Sequence, residues 1–279
     1  MRAMGLQEVA SVLNAAIVPD GADVRGEIAG VGIDSRTVGR GDCFFAIAGD
    51  RFDGHDFIAD VFERGAACAV VGGDVDVEVP AGRVLLKVAD TVRALGDLAR
   101  HYRESGGFKV VAITGSAGKT TTRQIAAHVL GRHFRVHQSP RSFNNAIGVP
   151  LTLLGAGAEH EIVVAELGTN HPGEIAELTR IALPDVAVVT NVHPAHLEGF
   201  GSLDAIAREK TSIAEGLGSG GAFIVNGDIV RLLEAARAKS ERLRTFGCKA
   251  DCDYRAERVR CEGETSRFEI NGREMTLGL

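Results

Sequence analysis

The sequence predicts an α/β protein in which a small amino-terminal α/β domain precedes a domain built on a mostly parallel sheet. Two observations carry this prediction. From residue 110 onward, apolar segments of strand length alternate with segments of helical spacing, which is typical of parallel strands joined by crossover helices. The first of these strands is followed by a glycine-rich loop and a helix, as in phosphate-loop domains.

Four apolar segments of the second domain are predicted strands, at residues 110–114, 161–167, 186–191 and 222–227. They are apolar throughout instead of alternating, which indicates that helices cover both faces of the sheet. The last part of the chain predicts a hairpin, because Phe268, Ile270, Met275 and Leu277 alternate around Asn271-Gly272. An isolated hairpin is marginal in water, so we expect it to pack on another part of the protein. Because the sequence stops at Leu279, directly after this strand, we expect more protein to follow.

The first hundred residues contain shorter predicted strands, near residues 30–36, 43–49, 68–72 and 83–88, and predicted helices near 6–16 and 56–65. A longer helix is predicted to begin after Asp90, a favourable N-cap residue, and to stop at Ser105-Gly106-Gly107. We therefore predict domains at 1–106 and 107–279.

Composition excludes several classes of protein. The formal net charge of −6 and the pI of about 5.9 argue against a broad nucleic-acid-binding surface. No apolar run has the length of a membrane span, and the amino terminus lacks the apolar core of a signal peptide, so we expect a cytoplasmic protein without membrane insertion.

The five cysteines do not form a recognisable framework. Cys43 and Cys68 lie in apolar, strand-like segments and are predicted to be buried thiols. Cys248, Cys252 and Cys261 do not have the paired spacing of common zinc sites.

The segment AITGSAGKTTTRQ (112–124) predicts a strand, a tight glycine loop and a helix. Backbone N–H groups and the helix N-terminus would face a polyphosphate, Lys119 would add a positive charge, and Thr120 would bind Mg²⁺. The usual phosphate-loop pattern has glycine where Ile113 stands. The alternative is an ordinary glycine turn that caps a helix.

Polar residues follow the next two strands. Glu166 ends the second strand, and Asn191, His193 and His196 follow the third. If the strands are parallel neighbours, these side chains converge on the loop, because ligands bind at the carboxyl ends of strands in such sheets. Glu166 is then a metal ligand; the alternative is a solvated strand end.

Lys210 shares a helical stripe with Leu203, Ile206, Ile213 and Leu217, which predicts that it points inward. A desolvated lysine has a lowered pKa and becomes reactive, whereas a lysine that extends past the stripe to water does not. The sequence leaves both possibilities open. It also leaves open whether Asn144 and Asn145 contact a ligand or cap a helix.

These motifs together resemble the Mur ligase family, the ATP-dependent amide-forming enzymes of bacterial cell-wall synthesis. The family's loop, T-G-x-x-G-K-[ST], matches Thr114–Thr120, and isoleucine is ordinary at position 113 in that subtype. The resemblance extends over essentially the whole chain. Segments NNAIGVPLTLL and AELGTNHPGEIAEL resemble the member that adds D-alanyl-D-alanine to UDP-N-acetylmuramoyl-tripeptide.

Three other functions remain as alternatives. The family member that adds the third amino acid shares the segments DSR and DGHDF and the loop. The second alternative is a non-catalytic module that binds UDP-sugar or nucleotide. A phosphate-loop kinase or GTPase is weaker, because the sequence contains no separate guanine-reading motif or kinase lid.

The resemblance implies a role for each matching residue. The residues implied to bind ATP are Thr114, Gly115, Ser116, Ala117, Gly118, Lys119, Thr120, Thr121 and Asn191. Thr120, Glu166 and His196 are implied to bind Mg²⁺, and Lys119, Lys210 and His196 to be catalytic. Lys210 matches a lysine that is carbamylated by CO₂ in the family. His193 departs from the family pattern, which more often has a small residue there.

The substrate residues implied by the resemblance lie in both domains. Ser35 and Arg36 would contact the uridine diphosphate part of the substrate, with Asp53, Gly54 and His55 nearby. Asn144 and Asn145 match a polar loop near the reacting phosphate. Family members continue into a further domain that begins around a G-x-H-N-x-x-N segment. We therefore expect an incomplete central ATPase domain and a chain that is inactive alone. We expect a monomer, although no sequence feature determines the oligomeric state or the third amino acid of the tripeptide.

Overall fold

A computed structural model describes residues 1–49, 51–140, 142–194, 197–240 and 242–278, apart from the side chains of Leu197 and Glu198. The chain divides into two compact units. One comprises Met1–Phe108 and Leu130–Val163, and the other comprises Lys109–Val129 and Val164–Leu279. The domain limits 1–106 and 107–279 stay a prediction.

The helices and strands alternate along most of the chain. Up to Phe108 they are β1 (Met4–Gly5), α1 (Leu6–Val12), β2 (Ala16–Val18), β3 (Glu27–Ile28), β4 (Gly30–Gly32), β5 (Asp42–Phe45), α2 (Ile58–Glu63), β6 (Cys68–Gly72), β7 (Val84–Val88) and α3 (Thr91–Ser105). From Lys109 they are β8 (Lys109–Thr114), α4 (Lys119–Leu130), β9 (Val136–Gln138), α5 (Gly148–Leu154), β10 (Ile162–Glu166), α6 (Glu174–Ala182), β11 (Val186–Val189), α7 (Leu197–Phe200), α8 (Leu203–Thr211), β12 (Ala222–Asn226), α9 (Val230–Arg237), β13 (Leu243–Gly247), β14 (Tyr254–Glu262), β15 (Thr265–Ile270) and β16 (Arg273–Gly278).

The first unit is organised around a five-stranded sheet in the order β2-β7-β6-β5-β4. Strands β4 to β7 are parallel, and β2 pairs antiparallel with β7. Phe44, Ile58 and Phe62 belong to the core packed on this sheet. Cys43 and Cys68 are register partners on β5 and β6 and are fully buried, which confirms the prediction of buried thiols. The hydrogen bond between the two thiols and their burial raise the pKa of Cys43.

Helix α3 begins as its sequence predicts. The Asp90 carboxylate accepts hydrogen bonds from the N–H groups of Val92 (2.9 Å) and Arg93 (3.0 Å). These are two of the donors that have no partner within a helix, so the cap satisfies both. The helix ends at Ser105, before the predicted Gly-Gly stop.

The second unit contains strands in the order β16-β15-β14-β13-β12-β11-β8-β10. Strands β8, β11, β12 and β13 pair in parallel, and β14 to β16 form an antiparallel meander. The four predicted strands are present, and buried residues such as Ile113, Val164 and Phe223 make their interiors apolar. The mostly parallel α/β fold is therefore confirmed.

The predicted hairpin joins β15 and β16. Asn271 and Gly272 both have positive φ, 48° and 79°, as a two-residue turn of the favoured hand requires. The sequence did not predict β14, because its alternation of charged residues has little apolar character. Within the described residues, no helix is both long and apolar enough to cross a membrane.

Candidate functional site

The backbone conformation of the glycine loop between β8 and α4 requires glycine at two positions, 115 and 118. Gly118 has a φ of 76°, a conformation that strains residues with a side chain. Gly115 has a φ of 151°, and a Cβ atom there would lie 2.0 Å from the Thr190 hydroxyl. The loop therefore needs glycine at 118 for its backbone conformation and at 115 also for its close contact with Thr190.

Lys119 is the first residue of α4, and its side chain extends back toward the loop. Its Nζ donates to the carbonyl of Gly115 at 2.8 Å. Burial lowers the pKa of Lys119, and the charge of Glu166 opposes that shift. The first N–H groups of a helix lack intrahelical partners and carry partial positive charge. Lysine, loop and helix N-terminus thus form an arrangement suited to a phosphate group.

Thr120 and Glu166 provide oxygen atoms beside this loop. The Thr120 hydroxyl donates to Glu166 Oε2 at 2.9 Å, and Glu166 is 1% exposed at the carboxyl end of β10. Glu166 thus lies beside the glycine loop, as expected at the carboxyl end of its strand, while the metal-binding roles of Thr120 and Glu166 stay predictions. A hydroxyl and a carboxylate suit Mg²⁺, which binds few protein ligands and completes its shell with phosphate oxygens and water.

His196, the third predicted metal ligand, lies outside the described residues. Within the described ranges there is no group of three or more His, Cys, Asp or Glu side chains that could hold a metal. Thr120 and Glu166 lie within the described residues, and their oxygen donors fit Mg²⁺ in combination with a polyphosphate.

The segment after β11 packs directly against the loop. Asn191 Oδ1 accepts from the N–H of Ala117 (2.9 Å), and Asn191 Nδ2 donates to its carbonyl (3.1 Å). The Thr190 hydroxyl donates to the same carbonyl at 2.7 Å. The Ser116 hydroxyl lies 3.0 Å from the backbone N of His193 and 3.2 Å from its carbonyl oxygen. The His193 side chain itself is exposed, and its role stays open.

Lys210 points inward, as its helical spacing predicts. It is 4% exposed and lines a small cavity together with Gly115, Lys119 and Thr169. Burial and the charge of Lys119 lower its pKa to about 8. The alternative, a lysine that extends to water, is excluded by this burial. The predicted stripe was wrong at its far end, because α8 stops at Thr211 and the backbone is extended at Leu217.

Glu209 is a residue that sequence reasoning missed. It is 8% exposed and accepts from the N–H groups of Gly173 (2.8 Å) and Ile175 (2.9 Å) at the start of α6. It thereby caps a helix 34 residues away in sequence. Glu174, the first residue of α6, is partly buried, but hydrogen bonds from the backbone of Asn170 and His171 outweigh burial and lower its pKa to about 2. The partners of Glu209 are distant in sequence, so no local pattern indicates them.

A groove of about 450 Å³ in the first unit contains part of the predicted substrate site. Ser35, Arg36 and Gly54 line it with several apolar side chains, including exposed Phe52. Asp34 holds the Arg36 guanidinium through two hydrogen bonds of 2.8 and 2.7 Å, which lower the pKa of Asp34 to about 2. The guanidinium keeps further donors for a ligand.

Asp53 and His55 bond to each other rather than facing the groove. Asp53 Oδ1 accepts from the His55 backbone N–H and contacts His55 Nδ1, while His55 Nε2 accepts from the N–H of Gly72 at 2.9 Å. These bonds assign the proton to Nδ1. Asn145 Oδ1 accepts from the N–H groups of Ile147 and Gly148, so it caps the start of α5. Ligand contacts of Asn144 and Asn145 stay a prediction.

Comparison with known proteins identifies the class that this fold and loop define. The Mur ligase middle domain matches residues 113–278, and the Mur ligase family catalytic domain matches residues 27–103. The chain belongs to the Mur ligase family.

Among the relatives, the chain is 38% identical over 250 residues to the UDP-N-acetylmuramoyl-tripeptide–D-alanyl-D-alanine ligase of Bacillus subtilis (strain 168), covering 90% of this chain and 54% of that protein. A crystal structure of MurF from Acinetobacter baumannii superposes with a TM-score of 0.88 at 32% identity, covering 100% of this chain and 61% of that one. MurF ligase from Thermotoga maritima in complex with ADP gives a TM-score of 0.78 at 31% identity, covering 89% of this chain and 57% of that one. The chain thus spans between 54% and 61% of the length of these relatives.

Proposed function

We propose that this protein is an ATP-dependent ligase of peptidoglycan precursor synthesis that joins UDP-N-acetylmuramoyl-tripeptide to D-alanyl-D-alanine in the bacterial cytoplasm. The observation that carries the proposal is the site formed by the glycine loop, Lys119, Thr120 and Glu166. Its support is the identity of 38% to a ligase named for that reaction. A cytoplasmic location follows from the use of ATP.

The reaction we propose has two steps. The terminal carboxylate of the tripeptide attacks the γ-phosphate of ATP, which gives an acyl phosphate and ADP. The amine of D-alanyl-D-alanine then attacks the acyl carbon, phosphate leaves, and the ammonium proton is lost as the amide forms. Both reactants of the first step are anions, so their approach requires neutralising charge from Lys119 and the α4 N-terminus.

Mg²⁺ held by Thr120 and Glu166 would screen the charge of the phosphates. Glu166 contributes one negative charge and Thr120 a neutral oxygen, so the site alone does not neutralise the cation. Polyphosphate and metal would therefore bind more tightly together than separately. His196 completes this proposal as a further ligand, as the family resemblance implies.

Lys210 is proposed to act as a carbamate. With a pKa of about 8, its amine is neutral in a larger fraction of molecules near neutral pH than an ordinary lysine. The neutral nitrogen attacks CO₂, loses a proton and becomes an anionic carbamate beside Lys119, whose positive charge favours that form.

The direct test is ligand binding by calorimetry. We expect saturable binding of Mg²⁺·ADP, displaced by ATP and not by GTP, and loss of binding in Lys119→Ala because its charge faces the phosphates. Lys239→Ala, which removes an exposed lysine paired with Glu215, serves as the matched control. Undiminished ADP binding by Lys119→Ala would contradict the assignment of the loop.

The same experiment separates the alternatives. Tighter binding of UDP-N-acetylmuramoyl-tripeptide than of the dipeptide form supports addition of D-alanyl-D-alanine, whereas the reverse order favours the family member that adds the third amino acid. Preference for GTP would favour a GTPase. Binding of both ligands without any amide product in the ligation assay described below would favour the non-catalytic module.

A further inference from the structure

The tip of the glycine loop is held by the segment that follows β11. Ala117 makes three hydrogen bonds with this segment: its N–H donates to Asn191 Oδ1, and its carbonyl accepts from Asn191 Nδ2 and from the Thr190 hydroxyl. A fourth bond runs from the N–H of Ser116 to the Asn191 carbonyl at 3.2 Å. We call Thr190 and Asn191 the loop clamp.

The geometry of Asn191 differs from that of a side chain prepared to bind a ligand. Both of its polar atoms are bonded to one residue of the loop, the oxygen to the Ala117 N–H and the nitrogen to the Ala117 carbonyl. This two-point contact fixes the orientation of the Ala117 peptide groups. A phosphate is recognised by the directions of loop N–H groups, so fixing the loop before the ligand arrives reduces the ordering cost of binding.

The packing of the loop supports the same conclusion. Gly115 lies so close to the clamp that a Cβ atom would overlap the Thr190 hydroxyl. The loop is thus fitted against the clamp at Gly115, Ser116 and Ala117. Thr190 is 8% exposed and Asn191 is partly buried, whereas Ala117 is exposed, so the clamp holds the solvent-facing tip of the loop from its buried side.

We propose that Asn191 is a positioning residue that, together with Thr190, holds the glycine loop in its phosphate-binding shape and acts on the nucleotide through Ala117 rather than by direct contact. This inference rests on the proposed function of the loop. It differs from the role that the family resemblance implies for Asn191, a direct contact with ATP.

The test compares Asn191→Ala and Thr190→Val with Asn226→Ala. Asn226 is a matched control because it ends the neighbouring parallel strand and also bonds a local backbone group, the N–H of Asp228. Two quantities are measured: amide hydrogen exchange at Ser116 and Ala117 without nucleotide, and the Kd for Mg²⁺·ADP. We expect Asn191→Ala to accelerate exchange and to raise Kd by about tenfold, the order of magnitude for one or two lost hydrogen bonds.

Thr190→Val removes one bond with nearly the same shape, so we expect smaller changes in the same direction. Asn226→Ala should change neither quantity. A raised Kd with unchanged exchange in Asn191→Ala would overturn the proposal in favour of direct contact, and no change in either quantity would also overturn it. If the wild-type protein does not bind Mg²⁺·ADP, the proposed function fails, while the exchange data still decide whether the clamp holds the loop.

Discussion

At the scale of single residues, the candidate site contains two lysine amines that line one small cavity. Lys210 is 4% exposed and Lys119 is partly buried, and burial lowers the pKa of both. Their mutual repulsion adds to the effect of burial on Lys210, while the carboxylates of Glu209 and Glu174 partly offset it. Two positive charges around one cavity are the arrangement that the proposed binding of an anion requires.

Lys210 should titrate far below an ordinary lysine. We expect a midpoint near pH 8, where burial and Lys119 place its pKa, instead of the ordinary lysine value of 10.5. The measurement is NMR of protein with isotopically labelled lysine, followed from pH 6 to 11 with CO₂ excluded, and Lys210→Arg assigns the resonance by removing it.

The same shift has a consequence for stability. Between pH 8 and 10.5 the unfolded chain binds more protons at this site than the folded chain, so the contribution of Lys210 to the free energy of unfolding rises with pH. Lys210→Met should lack that rise. A Lys210 midpoint near 10.5 would contradict the burial that we describe.

The two loop glycines should differ in their sensitivity to substitution. Gly118→Ala should cost about 1–2 kcal/mol, the strain of a positive φ, since a Cβ atom there meets nothing within 4 Å. Gly115→Ala should cost about 3 kcal/mol or more, because its Cβ atom must also displace Thr190. Urea denaturation of both variants measures the difference, and equal losses would show that the loop is not fitted against Thr190.

At the scale of elements, the start of α6 depends on a carboxylate from another helix. The N-cap position of α6 is Gly173, which has no side chain to cap with, and Glu209 on α8 takes that role. Because Glu209 adjoins Lys210 in sequence, helix α8 carries both the buried amine of Lys210 and the carboxylate that caps α6.

Glu209→Gln should destabilise the protein by about 1–3 kcal/mol, since the amide keeps one acceptor and turns a donor toward the other backbone N–H. The measurement is the free energy of unfolding in urea. Glu215→Gln, which weakens solvent-accessible ion pairs with Arg180 and Lys239, is the control and should change stability by less than about 0.5 kcal/mol. Equal effects of the two changes would argue against the cap.

Local features of the chain were predictable and contacts between distant segments were not. Strand β8, the glycine loop, the Asp90 cap and the Asn271-Gly272 turn each depend on a few adjacent residues, whose chemistry is visible in the sequence. The cap by Glu209 and the clamp by Asn191 depend on partners 34 and 74 residues away. A pattern of spacing cannot reveal which backbone group a polar side chain will meet.

The site residues show the same limit. Helical spacing predicted the inward orientation of Lys210, and the rule for parallel sheets predicted that Glu166 lies beside the glycine loop. The placement of Asp53 and His55 near the substrate stays a prediction, and the bonds of their polar atoms to each other and to Gly72 were not visible in the sequence. That pairing depends on the three-dimensional path of the loop.

At the scale of the whole molecule, the chain carries two features that the proposed amide ligation would use. The first unit contains the groove lined by Ser35 and Arg36, and the second contains the glycine loop with Lys119. A ligase of this kind must hold a nucleotide-linked peptide and ATP at once. A chain that carries both features is better explained by ligation than by the binding of a single ligand.

The measurement that tests the proposed function most directly is a ligation assay with ATP, Mg²⁺, UDP-N-acetylmuramoyl-tripeptide and D-alanyl-D-alanine, in which ADP and the pentapeptide product are quantified by mass spectrometry. It is run on this chain and on a chimera that joins it to the remaining sequence of the Bacillus subtilis relative, of which it covers 54%. We predict one pentapeptide per ADP in the chimera and loss of both products in Lys119→Ala. A chimera that instead joins a diamino acid to the dipeptide substrate, or that forms no amide with either pair, would contradict the assignment.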